Sequence, residues 1–384
     1  MKSFEFDIVI IGGGCIGCSI LYELTRRGFS NIALIDEGRK ILSATAHSGG
    51  MLRVFHENIE HVQLALTNHS LLHQYSQSMA AHSLLDIQRS KPNGSLYFFN
   101  KHRFQNFKPH LESMRAAQYP FDILNETSGK RQFPQFHWKT DEWAIYEPLG
   151  SQTPPLLWSE DLLSKSIRAG ATLIDNFLVQ RICRYNDQYR ISSKEAVVTT
   201  KSLVLAGGAR LLPRLQDLAL KFPLTSKTIT TFVARKKTIQ IDSIKQKELR
   251  NQTTSRQAEI HLEAVSKMVE TELASSSVPP NYFDRETLEF GGFGHPSLVT
   301  LSSPNPQRLF TMPFWEDAMD KREAEDCYAP HRMGFSGQVS GFPQLYMATG
   351  WGGTGFKFAL AVGNRMAAAI EQGRHERRYH YALL

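Results

Sequence analysis

Three glycines and one aspartate carry the clearest chemical signal in this sequence of 384 residues. Gly12, Gly14 and Gly17 have the GxGxxG spacing, and Asp36 follows roughly 20 residues later. Between a strand and a helix, the first glycine permits a tight turn, the second lets a pyrophosphate approach the backbone, and the third lets the helix pack closely. The acid can accept hydrogen bonds from a ribose 2′-hydroxyl. The set therefore predicts a site for an ADP-containing dinucleotide.

The elements that must position these residues surround the motif. An apolar run at 7–11 precedes the glycines, a helical pattern follows them, and a second apolar run at 32–35 ends on Asp36. This order predicts a βαβ unit in which the helix N-terminus presents free N–H groups to phosphates. GxGxxG alone is a weak signal, but here strand, helix, second strand and acid are all in register.

Other chemistries have weaker support. Cys15 and Cys18 form a CIGC sequence that invites a redox or metal interpretation, but both lie in the dinucleotide turn, where packing is favoured. The sequence has no HExxH zinc motif, no GxSxG nucleophile motif and no Walker lysine motif. We therefore expect no metal.

The composition and charge of the sequence indicate which classes of protein it can belong to. The content of 41% hydrophobic and 21% charged residues is ordinary for a globular chain, and its length predicts two domains. The net charge of +7 comes from lysines and arginines spread along the sequence, so we expect no nucleic-acid partner. No apolar run approaches the ~18 residues of a membrane span, and we expect no membrane association. Four cysteines without a framework spacing fit a reducing compartment, so we expect a cytoplasmic protein.

Three further motifs resemble one family of enzymes. They are ATAHSGGMLR at 44–53, LVLAGGA at 203–209 and MATGWGGTGFKFALAVGNRMAAAI at 347–370. Together with the glycine motif they resemble the D-amino-acid oxidase superfamily of flavoenzymes, in particular the branch of monomeric sarcosine oxidase and N-methyl-amino-acid oxidases. The resemblance covers nearly the whole chain and fails between about 238 and 277.

The resemblance implies an α/β fold and a discontinuous domain plan. A Rossmann-like FAD-binding domain of the GR2 type would comprise residues 1–75, 146–222 and 330–384. An interleaved α+β substrate domain, built on an antiparallel or mixed sheet, would comprise 76–145 and 223–329. We therefore expect FAD as the cofactor.

Local patterns add four expectations. EHVQLAL at 60–66 resembles a helix that follows the flavin-facing loop in that branch. The strand expected at 94–99 is followed by one long helical stretch that ends near Pro134. Ser159 is the expected cap of a later helix. Apolar residues at helical spacing predict a helix over about 255–275, within the region that does not align.

Two residues are the candidates for catalysis. The resemblance implies that Lys357 lies at the flavin face, where a cation would stabilise the charge that passes from reduced flavin to O₂. The alternative is a lysine that extends from the helix to solvent. Arg53 lies one residue from an arginine that binds a substrate carboxylate in the relatives, a task suited to its planar bidentate fork. An ordinary ion pair is the open alternative for Arg53.

The resemblance also implies contacts to the cofactor. Thr45, Ala46 and His47 resemble an element that meets phosphate and the flavin ribityl chain, and Val179 matches a residue whose backbone contacts adenine. Cys327 stands near the position of a cysteine that carries the flavin covalently, but the threonines and acid that follow it in the family are missing, and a buried free thiol is the favoured interpretation. The candidate cofactor-binding residues are Gly12, Gly14, Ile16, Gly17, Asp36, Glu37, Thr45, Ala46, His47, Val179, Gly207, Gly208, Gly350, Gly353, Thr354, Gly355, Lys357 and Cys327.

The expected function is that of an FAD-dependent oxidoreductase. It would oxidise a C–N bond of an amine or amino acid, with O₂ as acceptor and H₂O₂ as product. One alternative is an accessory flavoprotein that modifies a partner protein, for example by oxidising tryptophan during maturation of a quinone cofactor. The other is a flavin-binding subunit without turnover. The sequence leaves the substrate and the oligomeric state open.

Overall fold

The computed structural model describes residues 2–38, 43–78, 94–133, 138, 140–235, 298–303, 319–330 and 333–373. The strands are β1 Lys2–Ile11, β2 Ile32–Ile35, β3 Met51–Leu52, β4 Ser95–Asn100, β5 Asp122–Leu124, β6 Glu142–Glu147, β7 Ser151–Gln152, β8 Thr172–Ile174, β9 Arg181–Tyr185, β10 Gln188–Ser192, β11 Ala196–Leu205, β12 Thr225–Arg235, β13 Leu298–Ser303, β14 Met319–Tyr328, β15 Phe335–Gln338 and β16 Leu345–Thr349. The α-helices are α1 Cys15–Arg26, α2 Ile59–Ser78, α3 Phe104–Ala116, α4 Glu126–Gln132, α5 Pro155–Arg168, α6 Leu212–Leu215 and α7 Ala359–Gln372.

A mixed sheet of eight strands has β1 near its centre. The hydrogen-bonded order is β15-β16-β11-β1-β2-β8, with β10 attached to β11 and β9 to β10. β1 is parallel to β2 and β11, and β16 and β8 continue the parallel part. β15, β10 and β9 are antiparallel to their neighbours. The α/β fold expected from the sequence is therefore confirmed.

Both faces of β1 are covered. Alternate side chains of a strand point to opposite faces of the sheet. Ile8 and Ile10 belong to an apolar cluster that also contains residues of α1 and α7, whereas Val9 and Ile11 belong to a second cluster on the other face. This arrangement explains why residues 8–11 are continuously apolar rather than alternating.

Helix α7 lies close to the elements that form the first βαβ unit. It packs against α1, and a Cβ atom placed on Gly363 would lie 2.7 Å from the carbonyl carbon of Ser19. Its N-terminus is capped from α2, because the Asn68 Oδ1 atom accepts the N–H groups of Leu360 at 2.9 Å and Ala361 at 3.3 Å. Two of the N–H groups that a helix start leaves without a partner are thereby satisfied.

Three smaller sheets accompany the main one. β6 lies between β4 and β5, and β12 lies between β13 and β14, with all neighbours antiparallel. β3 and β7 form a two-stranded antiparallel pair. Antiparallel sheets are the architecture expected for the substrate domain, while the domain boundaries given above stay a prediction.

Several local expectations can be compared with the structure. Helix α2 and strand β4 are found where they were expected. The single helical stretch expected before Pro134 is wrong, because α3 ends at Ala116 and strand β5 separates it from α4. Ser159 is not a cap: α5 begins with Pro155, and the Ser159 hydroxyl donates to the Pro155 carbonyl at 2.7 Å. The helix expected over about 255–275 lies outside the described residues.

Candidate functional site

The turn between β1 and α1 requires two of its glycines. Gly12 has a φ angle of +112°, and a Cβ atom there would lie 2.6 Å from the carbonyl oxygen of Ala206, the residue after the neighbouring strand β11. A Cβ atom on Gly17 would lie 1.8 Å from the carbonyl oxygen of Gly12, so any side chain would push α1 away from the turn. Gly17 therefore acts through packing and does not line the cavity described below.

Asp36 lies at the end of β2, beside the turn. One carboxylate oxygen accepts the N–H group of Gly13 at 2.7 Å, and the other accepts that of Gly38 at 3.0 Å. Each carboxylate oxygen has a second lone pair, so the group can still accept ribose hydroxyls. A Cβ atom on Gly13 would lie 2.7 Å from Asp36 Oδ2, which makes Gly13 a further required glycine that the sequence interpretation missed.

A cavity of about 1020 Å³, counted with the solvent space at its mouth, brings the predicted residues together. Its walls are the β1–α1 turn, the end of β2, the loop after β11, the end of β14 and the loop after β16. The predicted cofactor residues in its lining are Gly12, Gly14, Ile16, Asp36, Glu37, Thr45, Gly207, Gly208, Gly350, Gly353, Gly355 and Cys327.

A second, smaller cavity of about 480 Å³ continues from the first. It contains Val179, and it shares Asp36, Glu37 and Arg210 with the larger cavity. Val179 thus lines the same small cavity as Asp36, and its contact with adenine stays a prediction. Arg210 forms a short ion pair with Glu37 at this end.

Three predicted residues lie beside the cavity without lining it. The Ala46 N–H group donates to the Ser43 hydroxyl at 3.2 Å, and the His47 N–H group donates to the Ser43 carbonyl at 3.3 Å. The Thr354 hydroxyl donates to the Trp351 carbonyl at 2.6 Å. These groups stabilise the loops that form the cavity wall. The loop that contains Ala46 and His47 lines the cavity with Ser43, Ala44, Thr45 and Ser48, and the Thr45 hydroxyl accepts the N–H group of Cys15 at 3.1 Å.

Lys357 belongs to a 3-10 helix, Gly352–Phe358, whose first residues line the cavity. Its side chain is only 5% exposed, which rules out the alternative of a lysine that extends to solvent. The N–H groups that could face a flavin belong to this 3-10 helix, because those at the start of α7 donate to Asn68.

Arg53 is held by the protein itself. The Glu147 carboxylate is fully buried beside it and accepts the N–H groups of Val54 at 2.6 Å and Phe55 at 3.1 Å. Burial raises the pKa of Glu147, while the Arg53 charge and these N–H groups lower it. The guanidinium donates a short hydrogen bond to the Phe55 carbonyl and lies 5.3 Å from the centre of the Tyr97 ring. Arg53 and Lys357 line neither cavity, and the role of Arg53 as an anchor for a substrate carboxylate stays a prediction.

The end of β14 contributes an acid and a thiol to the larger cavity. Burial raises the pKa of Asp326 to about 6, although its carboxylate accepts the Cys327 N–H group at 2.8 Å. Burial also raises the pKa of Cys327 and raises that of Cys15 to about 11, and the Asp326 charge raises both further. Both thiols are therefore protonated at neutral pH, and a protonated thiol is a poor nucleophile. Covalent attachment of a flavin at Cys327 stays a prediction.

Sequence interpretation missed four further residues of this region. They are Gly13, Glu147, Asp326 and Trp351. Only Gly13 had a signal, because it extends the glycine pair of the motif to a run of three. The other three are brought to the site by tertiary packing.

Two absences hold for the described part of the chain. No group of three or more His, Cys, Asp and Glu side chains there could hold a metal ion. Among the same residues, no helix has both the length and the apolar character needed to cross a membrane.

Comparison of the sequence with known families and proteins identifies relatives. The sequence model of the DAO family, described as FAD dependent oxidoreductase, matches residues 7–262. Human mitochondrial sarcosine dehydrogenase is 25% identical over 195 residues, which cover 50% of this chain but 21% of that protein. The chain thus spans about a fifth of the length of this curated relative.

Solved structures with the same fold cover nearly the whole chain. L-proline dehydrogenase from P. horikoshii has a TM-score of 0.72 at 15% identity and covers 97% of this chain and 95% of its own. Glycine oxidase from Bacillus cereus has a TM-score of 0.65 at 15% identity, with 97% and 99% covered. Iminodiacetate oxidase from Chelativorans has a TM-score of 0.67 at 16% identity, with 97% of both chains covered. At these identities the likeness concerns the fold.

Proposed function

Because the chain belongs to the family of FAD dependent oxidoreductases, we propose that it is an FAD-dependent oxidase that acts on the C–N bond of an amine. The observation that carries the proposal is the continuous cavity. It joins the dinucleotide turn, Asp36 and the glycine-rich loop before Lys357, which lie far apart in the sequence. Pockets with convergent polar groups of this kind are the usual sites of cofactors.

The lining of the cavity fits FAD along its whole length. In the first turn of α1 the Thr45 hydroxyl accepts the Cys15 N–H group, and the N–H groups that follow it would meet the pyrophosphate. Asp36 accepts from the ribose, and Val179 and its neighbours contact the adenine. A Cβ atom on Gly353 would meet nothing within 4 Å, so the loop after β16 leaves open space for the flavin ring.

The chemistry follows from the cofactor and from one buried cation. FAD, when bound, would supply the acceptor for a hydride from the carbon next to an amine nitrogen; with the loss of a proton from that nitrogen, the substrate would become an imine. Lys357 then stabilises the negative charge as the two electrons and two protons that the substrate loses pass to O₂, which becomes H₂O₂. Sarcosine, glycine, proline and iminodiacetate, which the names of the relatives contain, are all primary or secondary amines. The amine must be neutral to lose hydride, so turnover rises with pH as the substrate deprotonates.

The surroundings of Arg53 and Glu147 favour a substrate that has no free carboxylate for Arg53 to bind. The guanidinium is already engaged by the Phe55 carbonyl and the Tyr97 ring and is balanced by the buried acid. A simple amine, or an amine or indole side chain of a partner protein, needs no such anchor. This observation keeps the accessory flavoprotein as the second candidate function, with a protein as its substrate.

The test is a panel of substrates offered to purified protein that carries FAD. Amines with and without a carboxylate, together with sarcosine, glycine and common D-amino acids, are incubated in air while O₂ consumption and H₂O₂ are measured. We expect H₂O₂ from amines without a carboxylate and weak or no turnover of the amino acids. Electron transfer to a dye without O₂ consumption would identify a dehydrogenase instead.

Two further outcomes separate the alternatives. A protein that retains FAD, is inert toward the whole panel and binds a precursor protein would favour the accessory role. A protein whose FAD is altered by neither donors nor O₂ would be a non-catalytic subunit. Precipitation with acid tests the linkage: we expect a yellow supernatant, because a protonated Cys327 thiol favours non-covalent binding.

A further inference from the structure

The wall of the larger cavity carries more acid than base. Four carboxyl groups line it, and the only cation among the lining residues that the structure describes is Arg210. The acids are Asp36, Glu37, Glu325 and Asp326. Each phosphate of a bound dinucleotide would add about one further negative charge to this space. A wall of this composition repels such a cofactor unless the charges of its acids are compensated.

Three of the four acids have compensation for their charge. Glu37 forms the ion pair with Arg210. Asp36 accepts two backbone N–H groups, one on each carboxylate oxygen. Glu325 is exposed, so water and salt screen its charge. Asp326 is the acid whose charge must be removed in another way.

The position of Asp326 disfavours its charged form. Protein atoms surround it closely, although part of its surface stays accessible where it lines the cavity. Its Oδ1 atom accepts the Cys327 N–H group at 2.8 Å, yet burial still raises the pKa of Asp326 to about 6. The Asp326 charge in turn raises the pKa of Cys15. The carboxyl group therefore lies near the start of α1, where the pyrophosphate is expected.

The cations on the elements around β14 do not offset this effect of burial. On β12, Lys227 stands opposite Asp326 in the strand register, but its ammonium group lies over the Tyr328 ring, 5.1 Å from the centroid. Arg210 and Lys357 belong to two 3-10 helices that contact β14. Arg210 is already engaged in its ion pair, and Lys357 does not line the cavity. None of these three charges lowers the pKa of Asp326 appreciably.

We propose that Asp326 takes up a proton when FAD binds, so that the affinity of the protein for FAD falls as pH rises. The inference rests on the proposed function, since it requires FAD in this cavity. The cofactor displaces water from the wall and brings phosphate charge toward the carboxyl group, and both effects favour the neutral acid. Below a pH of about 6 the carboxyl group is already protonated, and binding takes up no proton there. Above that pH, binding must bring a proton with it.

Calorimetric titration counts the protons. FAD is removed from the purified protein by dialysis against potassium bromide and is then titrated back at pH 7, once in phosphate and once in Tris. Because the two buffers release protons with different enthalpies, the difference in heat gives the uptake. We expect close to one proton per FAD, and a dissociation constant at least about tenfold higher at pH 8 than at pH 6. No uptake in the parent would overturn the proposal.

Two variants assign the proton to one residue. Asp326→Asn should abolish the uptake and the pH dependence, and should bind FAD more tightly than the parent at pH 8. Glu325→Gln is the matched control, because it removes an exposed charge from the same strand and should keep both effects. His47 is the rival acceptor, since histidine commonly binds a proton near neutral pH and the loop of His47 lines the cavity. Uptake that survives in Asp326→Asn but is lost in His47→Gln would overturn the assignment.

A second measurement does not depend on a variant that folds. Infrared spectra of FAD-bound protein labelled with ¹³C-aspartate, recorded at pH 7, should contain an isotope-shifted carbonyl band of a protonated carboxylic acid that is weaker without FAD. Absence of that band would overturn the proposal while FAD binding itself stands. Failure of the parent to bind FAD at any pH would show that the cofactor assignment is wrong, and the proposal would fall with it.

Discussion

The Glu147 carboxylate lies buried within reach of the Arg53 charge and fixes the chain between β3 and α2. Both carboxylate oxygens accept N–H groups from the two residues after Arg53, and the guanidinium donates to a carbonyl of the same segment. The acid lies at the end of β6, in one of the smaller sheets, and the arginine follows β3. The pair thus connects the β4-β6-β5 sheet to the loop that precedes α2.

Removing the acid should destabilise the protein strongly. Glu147→Gln leaves the Arg53 charge buried without its counter-charge, and breaking a buried pair in this way costs about 3–5 kcal/mol. Urea unfolding of the two proteins measures the difference. Glu126→Gln is the control, because its partner Lys130 is exposed and such a pair contributes about 0–1 kcal/mol. Equal losses in the two variants would mean that Arg53 and Glu147 do not act as a buried pair.

Asp326 should make the FAD-free protein less stable as pH rises. Its folded-state pKa of about 6 exceeds the ordinary value of 3.8, so folding takes up a proton between these values. The free energy of unfolding therefore falls as pH increases through that window, and above it the ionised carboxylate costs roughly 3 kcal/mol. The titratable groups around it are Glu325 and Cys327 on β14 and Cys15 on α1, and both thiols stay protonated.

Asp326→Asn should therefore raise the melting temperature at pH 8 and have a smaller effect at pH 5. Calorimetry at pH 5 and at pH 8 measures the melting temperatures. Asp187→Asn, a change at an exposed acid, is the control. A gain that does not depend on pH would show that burial of the charge is not the cause.

Lys357→Met should leave FAD bound but slow the reaction with O₂. The variant loses the buried cation that stabilises charge on the acceptor, and we expect reoxidation to be at least about tenfold slower, corresponding to about 1.4 kcal/mol. Stopped-flow mixing of the reduced protein with O₂ gives the rate. The exposed Lys130→Met variant should keep the parental rate. A parental rate in Lys357→Met would remove this lysine from the oxidative step.

Asp36→Ala should weaken FAD binding. The change removes the acceptor of the Gly13 N–H group and of the expected ribose hydroxyls, and we expect a dissociation constant about 10- to 100-fold higher. Titration followed by flavin fluorescence gives the constant. Asp7→Ala removes an acid from the same sheet whose partner, Lys201, is exposed, and should bind FAD like the parent. If Asp36→Ala also does so, the acid does not contact the cofactor.

The first βαβ unit could be predicted from the sequence because its determinants are local. Three glycines, two apolar runs and one acid within 30 residues specify the turn, and each has a steric or hydrogen-bonding reason at its own position. The stretch from α3 to α4 could not be predicted in the same way. Strand β5 forms because it pairs with β6, which follows it at 142–147, and this pairing overrides the local helical pattern.

The electrostatic interactions of the site were even harder to predict from the sequence. The position of Arg53 in its motif resembles that of a substrate anchor, and only the tertiary structure brings Glu147 beside it. Likewise, Asp326 precedes the recognisable Cys327, but no pattern there indicates that its charge lies near Cys15 of α1. When the role of a residue depends on a partner distant in the sequence, no periodic sequence pattern predicts that role.

The cap that Asn68 provides for α7 has a consequence for biosynthesis. The loop after β16 closes the cavity, and the helix that follows it starts on an amide oxygen from α2. At about 5–20 residues per second, the ribosome adds that loop on the order of tens of seconds after the dinucleotide turn. Until then the nascent chain lacks the loop after β16, so the binding site for the cofactor is incomplete. We therefore expect FAD to be acquired only after α7 has emerged from the ribosome, at a rate set by the docking of that helix.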